Sequence, residues 1–362
     1  MEAHAVKTPA ARSLPPSLDK IRNVCVIGGS GFVGSHIVHQ LHDAGYRVLV
    51  PTRHRERAKD LIVLPSVEVV EANVHDPLQL SKLLAGMDAV INLVGILNEN
   101  RIGRVDKPSA RRGDFHEAHV ELPRKILHAC AEHGIRRLLH MSALNADATA
   151  RSGYLRSKGA GEAIVREADY PHSENERWYL DGPKFVKGQG MATTVFRPSV
   201  IFGRGDSFLT MLNGLIHKLP VVPLASPNAK FQPIFVDDVA HAFVAALENP
   251  ATFGQAYDLC GPQAYTLKQI VEYVAGLNGR YRSIIPLSDW MSYWNAFLLE
   301  HLPGKLMTRD NYYSMQVDSV CKCAFPSVFG FQPTAMEIIA PHYLSDLAIH
   351  SKYDELRHAA RR

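Results

Sequence analysis

The apolar positions of this chain fall in short blocks that alternate with longer amphipathic ones. From Asn23 the block NVCVIGG is followed by SGFVGSHIVHQLHDAG and then YRVLV, which predicts apolar strand, glycine turn, helix and apolar strand. The rhythm continues with a strand over Val67 to Val70, a helix over Pro77 to Leu84, a strand over Asp88 to Val94, a helix over Glu117 to His133 and a strand over Arg137 to Met141. Strands alternating with helices of this length predict a parallel sheet covered on both faces. A helix to about Glu167, a polar stretch from Asp169 to Gly190, and strands over Ala192 to Phe196 and Gln255 to Leu259 follow. The polar stretch is expected to be a surface insertion.

The pattern predicts an α/β fold of the Rossmann type, a doubly wound parallel sheet with a smaller C-terminal lobe. Residues 1–20 are expected to form a flexible tail. A dinucleotide-binding domain is expected over 21–198, completed by about 232–259, with 199–231 and 260–362 forming a substrate or partner lobe. Such a lobe would lie over the carboxyl ends of the strands, where open α/β sheets place their ligands.

Composition narrows the field. With 362 residues, 46% of them hydrophobic and 21% charged, the chain can bury a sizeable core. Its net charge of +4 is small and no basic run is interleaved with aromatics, so no nucleic acid partner is expected. No apolar run is long enough to span a bilayer. The segment Asp289 to Leu302 concentrates two of the three tryptophans, and reads either as core of the smaller lobe or as a face for a membrane or partner. The cysteines Cys25, Cys130, Cys260, Cys321 and Cys323 include no C-x-x-C pair, which points to a reducing compartment; Cys321 and Cys323 read as ordinary thiols. The pairs His116 with His119 and His36 with His39 lack a third ligand, so no metal is expected.

The glycine turn carries the first chemistry. Gly28, Gly31 and Gly34, with Gly29, Ser30, Phe32 and Val33 between them, join an apolar strand to an apolar helix. The first glycine permits the tight turn, the second lets a pyrophosphate approach the backbone, and the third lets helix and strand pack closely, with the helix N-terminus facing the phosphates. The second strand then lacks the acidic residue that would accept hydrogen bonds from an adenosine ribose. It runs into Pro51, Thr52, Arg53, His54 and Arg55 instead. A guanidinium at Arg53 can grip a 2′-phosphate through two hydrogen bonds, so NADP(H) is preferred over NAD(H).

Tyr154 and Lys158 lie four apart in a helical segment and share a face. An ammonium near the phenol would draw its pKa toward the working range and make Tyr154 a proton donor or acceptor. Ser142 follows the fifth strand, where its hydroxyl could hydrogen-bond a carbonyl oxygen.

Taken with Asn92, Leu93, Val94 and Gly95 in INLVG, Ser142 in HMSALNAD, YLRSKGAGEA, FRPSVIFGRGDSF, FQPIFVDDVAHAF and YDLCGPQAYTL, the chain resembles the extended or atypical short-chain dehydrogenase/reductases. Within that superfamily it is most similar to the nucleotide-binding accessory subunits of respiratory complex I and their bacterial relatives. The resemblance implies that Tyr154 is the acid/base, that Lys158 holds the nicotinamide ribose, that Ser142 polarises the carbonyl, and that Arg197, Pro198 and Ser199 lie near the nicotinamide. Asn73, followed by Val74, stands where many members place an adenine-contacting Asp. Ala143 and Leu144 replace the Asp-Glu pair of the sugar dehydratases, which argues against dehydration.

Three functions follow. The first is an NADP(H)-dependent oxidoreductase acting on an unknown carbonyl or alcohol in the cytoplasm. The second is a cofactor-carrying structural or assembly subunit placed peripherally at the inner membrane with a respiratory complex. A sugar-nucleotide epimerase is the third.

Overall fold

The computed structural model describes residues 20–99, 113–168, 191–301 and 307–345; the expected tail, apart from Lys20, and the Asp169 to Gly190 insertion lie outside these. The first part of the chain runs β1 (Asn23–Ile27), α1 (Phe32–Asp43), β2 (Arg47–Thr52), α2 (Lys59–Ile62), β3 (Val67–Glu71), α3 (Pro77–Leu84), β4 (Ala89–Asn92), α4 (Asp114–His116), α5 (Leu122–Glu132), β5 (Arg137–Met141), α6 (Gly153–Glu167) and β6 (Ala192–Pro198). The second part adds β7 (Ile201–Phe202), α7 (Phe208–Lys218), β8 (Val221–Leu224), β9 (Lys230–Phe231), β10 (Ile234–Phe235), α8 (Val236–Leu247), β11 (Gln255–Leu259), β12 (Tyr265–Thr266), α9 (Leu267–Leu277), β13 (Ser283–Pro286), α10 (Asp289–Glu300), α11 (Arg309–Ser314), α12 (Met336–Ile339) and α13 (Pro341–Leu344).

Seven strands pair in parallel in the order β11, β6, β5, β4, β1, β2, β3. The order reverses beside β1, which opens the crevice at the carboxyl ends of β1 and β4. Both faces of the sheet are covered, which is why strands such as AVIN of β4 are buried at every position. Val24, Val26, Ile37 and Phe243 belong to the core beneath α1 and α8, and Ile27, Leu80, Ile126 and Val165 to the core beneath α3, α5 and α6. A third core of Phe202, Leu209, Ile270, Val274 and Met336 is built on α7 and α9. Phe329 packs on the sheet core, its ring 5.9 Å from that of Phe196, so the chain returns to the first part after leaving it.

Two local arrangements set the sheet's flank. Arg137 is fully buried on β5 and donates to the carbonyls of Leu247 and Ala246 at the C-terminus of α8, to Ala192 O, and to the hydroxyls of Thr194 and Thr252. The negative end of the α8 dipole thus faces a cation. Helix α6 lies in backbone contact with its surroundings. A Cβ on Gly161 would stand 1.9 Å from His119 O, and one on Gly159 would stand 2.5 Å from the backbone of Asp147.

Cys321 is not the ordinary thiol expected from its sequence context. It pairs with Cys260 across 61 residues, with Cα atoms 6.0 Å apart, because the end of β11 and the segment after α11 meet at the same edge. Cys25, Cys130 and Cys323 are free. The inference of a reducing compartment rested on the absence of a C-x-x-C pair, and the Cys260–Cys321 bond weighs against it. Among the described residues no helix is long and apolar enough to cross a membrane.

The Gly161 contact is testable. Gly161→Ala should destabilise the fold by at least about 1–3 kcal/mol, the cost of forcing a methyl into a packed site, read as a lower urea midpoint at unchanged slope; an unshifted midpoint would mean that α6 can lift away from His119.

Candidate functional site

The turn after β1 has the geometry that a pyrophosphate requires. Gly28 adopts φ +89°, a conformation that strains any side chain. A Cβ on Gly34 would fall 2.2 Å from Gly28 O and 2.6 Å from Gly29 Cα, so only glycine lets α1 approach β1 this closely. A Cβ on Gly31, by contrast, meets nothing within 4 Å but Gly28 O at 3.2 Å, so this side of the turn is open. No side chain caps the N-terminus of α1 beyond Gly31, and its first turn, which includes Phe32, Val33 and Gly34, carries no acidic residue. Free backbone N–H groups and the positive end of the helix dipole therefore face the open side, and the residues present fit a dinucleotide phosphate.

The neighbouring strand ends carry the residues expected on the adenosine side. Ser30 Oγ donates to Thr52 Oγ1 at 3.1 Å and ties the turn to the end of β2. Arg53 follows, exposed. It contributes to holding His75 below the usual histidine range, after burial and alongside Lys125 and against Glu117. Lys125 Nζ also donates to His75 O. Two cations thus gather where β2 and β3 end. Asn73 does not present a free carbonyl, because its Oδ1 accepts from His75 N at 3.1 Å; Val74 packs against the core.

Asn92 lies beneath the surface rather than on it. It is buried, its Oδ1 accepts from Val94 N, and its Nδ2 stands 3.2 Å from His140 Nδ1. With the amide so fixed, His140 Nδ1 accepts and the proton sits on Nε2, which has no hydrogen-bond partner in the described structure. Leu93 is buried in the sheet core, and the place where a Cβ on Gly95 would stand is 2.9 Å from Lys158 Nζ.

Lys158 is 3% exposed. Its ammonium donates to Met141 O at 3.0 Å and Val94 O at 3.4 Å, at the ends of β5 and β4, and burial pulls its pKa down to about 8. Tyr154, one turn earlier on α6, is walled by Phe115 and His119, with ring centroids 6.2 and 5.7 Å away. Its phenol is not drawn down by Lys158 as the spacing suggests. Burial and the Asp310 carboxylate push it up to about 12, while the Lys158 charge is spent on main-chain carbonyls. Asp310, from α11, accepts from Gly153 N and Tyr154 N and from Ser152 Oγ, so the N-terminus of the helix carrying Tyr154 is capped from the far end of the chain.

Ser142 is buried, and its hydroxyl donates to Glu162 Oε2 at 2.8 Å. Glu162, itself 4% exposed, is gripped by Arg197 through Nε at 3.0 Å and through Nη2. Arg197 also faces Asp258 at 3.6 Å. Pro198 O receives Leu144 N, and Ser199 Oγ donates to Ser319 O at 2.8 Å. The structure therefore brings Ser142, Arg197 and Lys158 around one helix, α6. Glu162 and His119 were not singled out as site residues in the sequence. The available signal for Glu162 is an acidic residue one turn beyond Lys158. His119 sits in a π turn over Glu117–Glu121; it donates from Nδ1 to Ser157 Oγ, which itself donates to Tyr154 O, and its Nε2 accepts from Ile96 N. Burial, then the charge of Lys158, brings its pKa down to about 2.

Outward of α6, a cavity of about 640 Å³ opens between α4 and α6 on one side and α10 and α11 on the other, with Phe115, Arg151, Arg156, Tyr293 and Asp310 in its wall. The tryptophans of α10 are not core: Trp290 is 71% exposed and Trp294 47%. Among the described residues no cluster of metal-ligating side chains occurs.

Residues 24–260 match the NAD dependent epimerase/dehydratase family. The chain belongs to that family. Over 325 residues it is 29% identical to the mitochondrial NADH dehydrogenase [ubiquinone] 1 alpha subcomplex subunit 9 of Mus musculus, covering 86% of this chain and 77% of the relative. It is 26% identical to a ceramide reductase of Caulobacter vibrioides, covering 74% of each. An Escherichia coli NADPH-dependent quinone oxidoreductase solved with NADPH shares the fold, with a TM-score of 0.64 at 16% identity over 86% of this chain and 96% of that one.

The buried neutral histidines predict an acid-sensitive fold. Burial holds His140 at about 3 in the folded chain, against about 6.5 unfolded, so the unfolded state binds the extra proton between these values. Stability is then lost as pH falls below about 6.5, by about 1.4 kcal/mol per unit for each such histidine. In denaturant titrations at stepped pH, His140→Gln should flatten this slope by about one proton; an unchanged slope would show that His140 is protonated in the native state.

Proposed function

We propose that this chain is an NADP(H)-binding oxidoreductase that exchanges a hydride with a carbonyl or alcohol substrate, with Ser142, Tyr154 and Lys158 as the reactive side chains. The supporting observation is the placement of Lys158 and Tyr154 on a helix that crosses the strand ends next to an open, uncapped phosphate cradle. Gly28 to Gly34 would hold the pyrophosphate, Arg53 the 2′-phosphate, Lys158 the nicotinamide ribose, and Arg197 to Ser199 would border the nicotinamide. The bound dinucleotide would supply the hydride. The chain's own part is proton chemistry: Tyr154, kept as a neutral phenol by its burial and by Asp310, is poised to donate a proton to a developing alkoxide.

A second reading is favoured by two observations. The Ser142 hydroxyl is already given to Glu162, and α10 exposes a tryptophan face. Both suit a protein in which the dinucleotide stabilises the fold by mass action while an outer face joins a larger assembly, as the names of the mitochondrial relatives suggest.

Mass spectrometry of the small molecules that co-purify with the chain separates the readings by naming the cofactor and any substrate. Tyr154→Phe should then abolish turnover of that substrate with NADPH affinity nearly intact; retained turnover would remove Tyr154 from proton transfer, and purification in a stable respiratory assembly without any turnover would select the second reading. Arg53→Ala should weaken NADPH binding by about tenfold or more, the loss of a charge-assisted contact, and leave NADH binding nearly unchanged. Equal losses by calorimetry would reject the 2′-phosphate contact.

A further inference from the structure

The carboxyl ends of β5, β6 and β11 are crossed by an extended segment, residues 317–321. It is stitched down by hydrogen bonds. Asp318 O accepts from Asn145 Nδ2, Asp318 Oδ1 accepts from Lys230 N, and Ser319 N donates to Lys230 O. Ser319 O receives both Gln232 N and the Ser199 hydroxyl, and Cys321 N donates to Gln232 Oε1 at 3.0 Å. Its one covalent anchor is the bond from Cys321 to Cys260, the residue that follows β11. The same polypeptide, eight residues upstream of Asp318, supplies the Asp310 carboxylate to the N-terminus of α6. One short stretch of chain therefore touches both Ser199 and the turn that carries Tyr154.

We propose that the Cys260–Cys321 pair is a redox-controlled clamp that fixes this strap over the strand ends and, through α11, keeps Asp310 seated on the helix of Tyr154. Its effect on cofactor binding rests on the reading of Ser199 as part of the nicotinamide end. Three features carry the argument. The remaining anchors of the strap are individual hydrogen bonds, each of small net worth in partly exposed surroundings, and Gln316, Val317 and Asp318 are exposed. The bond joins residues 61 apart in sequence, so opening it removes the one covalent tie between the strap and the end of β11. Access is one-sided: Cys260 is 3% exposed whereas Cys321 is half-buried, so an incoming thiolate meets the Cys321 sulfur first.

The step balances with a dithiol as reductant. Its thiolate attacks Cys321 Sγ, the sulfur–sulfur bond breaks, and Cys260 leaves as a thiolate that takes a proton. The second thiol of the reductant then displaces Cys321 from the mixed disulfide. Two electrons and two protons pass from the dithiol to the pair, leaving the dithiol oxidised and the strap held by hydrogen bonds alone.

The full chain is compared oxidised and after dithiothreitol, without cofactor, by hydrogen exchange and thiol titration. Two additional thiols should appear on reduction, and amides of residues 152–155 and 317–321 should exchange about tenfold faster. The double variant Cys260→Ser with Cys321→Ser should exchange at the reduced rate under both conditions, while Cys323→Ser should respond as the parent does. NADPH affinity, measured next, should be several-fold weaker in the reduced form. An unchanged thiol count, or equal exchange in both forms, overturns the clamp. Faster exchange with equal NADPH affinity in both forms overturns its hold on the site. If exchange responds and NADPH binds neither form, the clamp stands and the cofactor reading falls.

Discussion

The arrangement depends on how near α6 comes to the sheet's edge. Gly159 and Gly161 put its backbone against the Asp147 turn and His119 O, a separation that no side chain at either position allows. At that separation the Lys158 ammonium reaches the carbonyls ending β4 and β5, and Glu162 lies between Ser142 and Arg197. Any widening would leave a buried cation and a buried carboxylate short of their partners, a cost that falls steeply on groups removed from water.

The polar cluster under α6 is internally consistent. Burial, and after it the charge of Lys158, keeps His119 and His140 neutral; neutral His119 accepts Ile96 N and donates to Ser157, which secures the first turn of α6 at Tyr154 O. A protonated His119 could not accept that amide. Charge, tautomer and helix placement thus support one another.

Much of the fold was legible in the sequence because a doubly covered parallel sheet writes itself as short, mostly apolar blocks between helices, and each strand of the β1 to β6 series overlaps such a block, even β3, whose VEVVE carries two glutamates at the edge of the sheet. The glycine turn was legible for a similar reason: its glycines act within seven residues, and their packing is local. What escaped is non-local. Asn92 was expected at the cofactor, yet its amide is taken by His140, a residue of the adjacent strand. Glu162 acquires its meaning only from Ser142 and Arg197, and Cys321 only from Cys260. The apolar length of α10 suggested core, but amphipathic spacing does not say which face finds a partner; here Ser292 and Ala296 go inward and the tryptophans stay out.

The cap on α6 has a consequence for biosynthesis. The N–H groups of Gly153 and Tyr154 find their acceptor 157 and 156 residues downstream. A nascent chain can pair β1 to β5 and lay α6 across them well before Asp310 has left the ribosome. During that interval the helix begins with unanswered donors, and the tyrosine it carries is not yet in its final setting. The sheet can therefore mature before the start of α6 does, so the surroundings of Tyr154 are completed only with the last third of the polypeptide.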